Sequence, residues 1–198
     1  MSNRRGTAAL LPSLVVGTVL LGISFRIEPG SSWFYPTALA LAAVWAVGAF
    51  ASGPVPLGER ILVVPVLVGA VLAGVFVLGA LIVRELPVLD DQVSAVTAYA
   101  DRGSGLLIVA ITLVTGAAEE LFFRGTVYAA VPAHQVVGST LVYTLVTAAT
   151  GNVALVFAAA LLGLVVGLVR WWSGGVLAPA ITHVTWSLVM LLALPALF

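Results

Sequence analysis

The chain has 198 residues, 62% of them hydrophobic and 8% charged, against about 25% charged in an ordinary soluble domain, so water is not its main solvent. Eight arginines balance eight acids, and a net charge of zero removes the electrostatic basis for binding nucleic acid. There is no cysteine, which excludes disulfides, thiolate nucleophiles and thiolate metal sites.

Taken in chain order, the apolar runs predict an all-α integral membrane protein, a bundle of about seven transmembrane helices. The expected spans are 7–25, 33–51, 61–83, 106–131, 136–150, 153–170 and 175–197. A helix needs about 20 residues to cross a bilayer, and helix is required because a backbone in hydrocarbon must satisfy its own hydrogen bonds. The first run, from Thr7 to Phe25, follows Arg4 and Arg5 and is read as a retained helix, since no small-residue cleavage site follows at Arg26 to Pro29. Arg4 and Arg5 predict a cytoplasmic N-terminus in the cell membrane. Seven spans then place Arg60 and Arg170 on the same side, with Trp171 and Trp172 beside Arg170 as an interfacial anchor.

The one polar stretch, 84–105, is expected to be an extramembrane loop with a short helix. It divides the chain into N-terminal membrane helices over 1–105 and a core over 106–198. In the sixth span Ala159, Gly163 and Gly167 recur every four residues. Such a stripe either lets two helices approach closely in lipid or reflects ordinary Ala and Gly abundance.

From Gly103 onward the charged residues are Glu119, Glu120, Arg124 and Arg170, and three of them fall within six positions of one apolar helix. Each acid at mid-bilayer costs about 3 kcal/mol on insertion scales. Glu120 and Arg124 are spaced i, i+4 with the acid first, the favourable order for a helical ion pair. Glu119 is turned by about 100° from Glu120. The expected division is that Arg124 holds Glu120 while Glu119 faces a polar cavity. His183 is the next polar outlier, with Ser187 one turn further along the same face and Thr182 and Thr185 close by. Measured from span ends at Val131, Val136 and Ser173, Glu119, Thr147 and His183 lie at similar depths, roughly 15–18 Å at 1.5 Å per residue.

The run Glu119-Glu120-Leu121-Phe122-Phe123-Arg124 resembles the EExxxR signature of the CPBP intramembrane proteases, a family that includes the CAAX prenyl endopeptidases. The resemblance covers roughly Leu106 to Pro195. The family's third motif, His followed four residues later by Asn or Asp, is met by His183 with Ser187 in the second place. Its second motif, Phe-x-x-x-His, is matched by Tyr143 and Thr147, while a gap-free placement brings Gly151 and Asn152 near that position. The resemblance implies that Glu119 is a general base, His183 and Ser187 are oxyanion donors, and Thr147 orients water, with Glu120, Arg124 and Asn152 in support. A buried carboxylate suits base catalysis.

The family name implies a divalent metal, but a catalytic zinc usually has three protein ligands, and His134 and His183 are the only histidines. No cofactor and no metal are therefore expected. The partners implied are a membrane-embedded or lipidated peptide and the bilayer, not nucleic acid. Three functions fit: an intramembrane endopeptidase of the CAAX-protease type, a catalytically silent scaffold or regulator of the same fold, and a carrier using Glu119 and Glu120.

Overall fold

A computed structural model describes residues 4–60 and 62–198, with side chains from Ala9 onward. The side chains of Arg4 and Arg5, on which the expected orientation rests, lie outside the described set, as does Ile61, the expected start of the third span. Among the described residues there is no strand. Eight helices follow in order: α1 (Arg4–Ser24), α2 (Phe34–Ser52), α3 (Val63–Val83), α4 (Pro87–Arg102), α5 (Gly105–Ala130), α6 (Gln135–Thr147), α7 (Val153–Ser173) and α8 (Leu177–Ala193).

The expected bundle is present. Among the described residues five helices are long and apolar enough to cross a membrane: α2, α3, α5, α7 and α8. The first expected span is α1, a helix of 21 residues, and the fifth is the shorter apolar helix Gln135–Thr150. In the latter case the chain enters from His134, whose left-handed φ of 52° marks a tight turn, and leaves through a 3₁₀ turn at Ala148–Thr150. The chain is a multi-pass membrane protein. The polar stretch forms α4, which starts with Pro87 in its first turn, where a missing N–H costs nothing.

Helix α5 is the hub, packed by α2 and α8 and, along its second half, by α6 and α7. Lipid tails supply no hydrophobic force between helices, so close packing must. The small-residue stripe of α7 does this against α6: Ala159, Gly163 and Gly167 are buried. A Cβ on Gly167 would lie 3.0 Å from Val136, and one on Gly163 would lie 3.1 Å from Thr140 and 3.3 Å from Arg124. The stripe is therefore a helix contact rather than a compositional accident. On the other flank Trp45 of α2 stacks on Phe122 and Phe123, with ring centroids 4.7 and 5.1 Å apart.

The turn between α7 and α8 is clasped by the loop after α2. Val176 and Leu177 donate their backbone N–H groups to the carbonyls of Pro56 and Leu57, at 2.9 and 3.1 Å. These bonds satisfy donors that open α8 and have no partner within the helix. At the same end Arg170 turns inward. Its side chain is buried rather than interfacial, donating from Nε to the Arg124 carbonyl at 2.8 Å and lying over the Tyr128 ring. The neighbouring Trp171 and Trp172 are exposed, as an anchor would be.

Candidate active site

The signature sequence lies where α5 changes its winding. Gly105–Glu120 is α-helical, and Leu121–Val127 continues as a π-helix. Such segments are rare and are frequently found at functional sites. Arg124 sits in this wider turn and is fully buried. Its Nη1 donates to Glu120 Oε1 at 3.0 Å, its Nη2 to the Gly163 carbonyl at 3.2 Å, and its guanidinium lies 4.7 Å above the Tyr143 ring. Gly163 matters twice here, because the absent side chain opens a path for the guanidinium to reach the α7 backbone.

Glu120 is also fully buried, and the same Oε1 takes a second hydrogen bond, from His183 Nδ1 at 2.8 Å. Its Oε2 has no partner among the described residues. With Nδ1 committed to Glu120, the other edge of the imidazole turns towards Gly116, where a Cβ would lie 3.7 Å from Nε2.

Glu119 lies on a different face. It borders a cavity of ≈ 240 Å³ that it shares with His183, Ser187, Thr115, Phe34 and Tyr99. From Ile108, near the start of α5, the cavity descends to Glu119, eleven residues or roughly 16 Å of helix. Its upper wall is α4, whose Val96, Tyr99 and Ala100 cover the opening. Polar links hold α4 and the turn after it there. Tyr99 donates its hydroxyl to the Ile27 carbonyl at 2.6 Å, the Ser104 N–H donates to the Tyr35 hydroxyl at 2.7 Å, and Asn152 donates to the Gln92 carbonyl at 2.7 Å.

Of the residues singled out in the sequence, Glu119, His183 and Ser187 thus meet at one cavity, with Glu120 and Arg124 packed behind it. Thr147 does not border the cavity, and its hydroxyl donates to the Tyr143 carbonyl at 2.9 Å. Asn152 is elsewhere: it caps α7, accepting from the Leu155 N–H at 2.9 Å. Thr182 is turned to the Pro65 carbonyl of α3.

One contact was not anticipated. The Tyr143 hydroxyl donates to Glu119 Oε2 at 2.7 Å, the one hydrogen bond that Glu119 makes among the described residues. A signal was available, since a buried tyrosine normally finds a partner for its hydroxyl and a carboxylate stood one helix away.

A metal does not fit this donor set. Among the described residues no group of three His, Cys, Asp or Glu side chains converges. Glu120 Oε1 and His183 Nδ1 are bonded to each other, and Arg124 holds a positive charge on the same oxygen.

Comparison with known proteins agrees with the motif. Residues 102–189 match the family described as type II CAAX prenyl endopeptidase Rce1-like. No curated protein and no solved structure matches the chain. The matched segment begins at the end of α4 and runs into α8, so it contains Glu119, Glu120, Arg124, His183 and Ser187. Over residues 102–189 this multi-pass membrane protein is similar to the CAAX-protease family.

Proposed function

We propose that the chain is an intramembrane endopeptidase in which Glu119 activates water to cleave a membrane-embedded or lipidated peptide. The observation that carries this reading is the unequal treatment of two adjacent acids. Glu120 is fully buried and neutralised by Arg124, whereas Glu119 borders a cavity opposite His183 and Ser187.

The chemistry follows from the positions. A peptide carbonyl lying between α5 and α8 has the Glu119 carboxylate on one side and the His183 edge on the other. Water gives its proton to Glu119 as its oxygen attacks the carbonyl carbon. The oxygen of the tetrahedral intermediate accepts hydrogen bonds from His183 Nε2–H and the Ser187 hydroxyl. On collapse the C–N bond breaks and Glu119 returns the proton to the leaving amine. Because Nδ1–H is already donated to Glu120, Nε2 is a donor only in the imidazolium form. Two carboxylates, Arg124 and the imidazolium then sum to zero charge within the site, which suits a medium where net charge is costly. Positioned donors to a developing oxyanion contribute about 3–4 kcal/mol each.

The apolar wall contributed by α1, α2 and α4 supports a hydrophobic substrate segment over a polar one. The carrier reading loses support, since Glu120 is sealed away from the cavity and cannot share an ion path with Glu119. A silent scaffold remains the second reading, favoured by Thr147, whose hydroxyl is tied to its own helix where the family has an imidazole.

In proteoliposomes carrying a prenylated peptide, Glu119→Gln should lower cleavage by about 10²-fold or more while the protein stays folded. Equal cleavage by wild type and variant would remove Glu119 from the reaction, and no cleavage by a folded wild type would favour the scaffold. We also place the N-terminus in the cytoplasm of the cell, with α4 outside. An impermeant maleimide should then label Asp91→Cys, on the exposed face of α4, in intact cells. Protection of that cysteine would reverse the orientation.

A further inference from the structure

We infer that Tyr143 is the residue that positions Glu119, taking over through its phenol the role that a side chain one turn further on does not fill. The inference rests on the peptidase reading above but concerns the geometry of the carboxylate itself.

Tyr143 is well placed to hold rather than merely to touch. Its ring is buried and fixed on two sides, edge-to-face with Phe123 at 4.9 Å between centroids and beneath the Arg124 guanidinium at 4.7 Å. Arg124 is itself anchored to Glu120 and to the Gly163 carbonyl. The phenol therefore has little freedom, and its hydroxyl donates to Glu119 Oε2 at 2.7 Å, well-formed hydrogen-bond geometry. Among the described residues no other protein group donates to Glu119, and Oε1 takes no hydrogen bond. One oxygen is thus pinned and the other is left for water.

The position four residues on completes the case. Thr147 has its hydroxyl engaged with the Tyr143 carbonyl and does not line the cavity. Helix α6 reaches Glu119 through residue 143, not residue 147. Arg124, through its contacts with Glu120 and the Tyr143 ring, links the sealed acid to the one at the cavity without contacting Glu119 itself.

Tyr143→Phe removes the hydroxyl and keeps the ring, so the contacts with Phe123 and Arg124 persist. Two readouts separate the parts of the claim. The first is dicyclohexylcarbodiimide labelling of Glu119 in purified protein, followed by mass spectrometry, with Glu119→Gln as the blank and Tyr128→Phe as the control for loss of a phenol elsewhere. Tyr143→Phe should speed labelling several-fold and Tyr128→Phe should not, because a carboxyl stripped of its donor is freer to react. The second is cleavage of the prenylated peptide. There kcat should fall about ten- to a hundredfold, the scale of one hydrogen bond to a charged group, with KM unchanged.

Unchanged labelling would overturn the inference, whatever the cleavage. Faster labelling with unchanged kcat in an active enzyme would reduce Tyr143 to a structural contact and overturn it as well. Faster labelling in a protein whose wild type cleaves nothing would sink the peptidase reading while leaving Tyr143 as the group that positions Glu119.

Discussion

Glu119 and Glu120 are neighbours in the chain and occupy opposite environments. Glu120 points into the contact of α5 with α7 and α8, where an arginine and a histidine share one of its oxygens and no solvent reaches it. Glu119 points into the cavity under α4 and, among the described residues, has a single neutral donor. The comparison shows how one helix can carry two acids into a membrane for different ends. A rotation of about 100° between successive residues is enough to place one against a cation and the other against a void. His183 belongs to both regions, with one ring nitrogen on the sealed acid and the opposite edge at the cavity.

The most forceful way to break this contrast is to unseal Glu120. Arg124→Leu leaves a fully buried carboxylate without its cation, a change that costs about 3–5 kcal/mol, so the yield of monodisperse protein in mild detergent should collapse. Normal yield and an unchanged melting temperature would mean that the pair does not hold the helices together. A change at the shared residue sharpens the contrast. His183→Gln should lower cleavage by about 10²- to 10³-fold, the usual effect of losing an oxyanion donor, with a smaller loss of stability because Arg124 still neutralises Glu120. Loss of stability without loss of cleavage would assign His183 to the sealed side alone.

Smaller effects are expected away from both acids. Asn152→Ala removes the cap of α7 and one link to α4, and should lower stability by about 1 kcal/mol, read as a melting shift. An effect on cleavage as large as that of His183→Gln would place Asn152 at the site after all. Thr147→Val is the mildest change, since it removes a hydroxyl bonded within its own helix. Cleavage should stay within about threefold, less than one hydrogen bond's worth. A hundredfold loss would restore Thr147 to the reaction.

The sequence carried the helices, the short helix within the polar stretch and the spacing that pairs Glu120 with Arg124, because each depends on composition or helical period. It also placed Glu119 on another face. Other features depend on tertiary contact and leave no such mark. The π-helix at Leu121–Val127 has no periodicity of its own over two turns. Arg170 near a helix end could as well have extended to the interface, and only packing shows it turned inward to the Arg124 carbonyl. Asn152 carries a capping signal, a polar residue before an apolar helix, and the structure shows it capping α7 rather than standing in for the second motif.

The central claim is the division of labour between the two acids, and a paired measurement tests it directly. Glu119→Gln and Glu120→Gln are purified side by side, and each is assayed for melting temperature and for cleavage of the prenylated peptide per folded molecule. The account predicts a crossing: Glu119→Gln melts near wild type but is nearly inactive, whereas Glu120→Gln melts well below wild type and its surviving folded fraction keeps more activity. Equal melting losses with equal activity losses, or the reverse crossing, would contradict it.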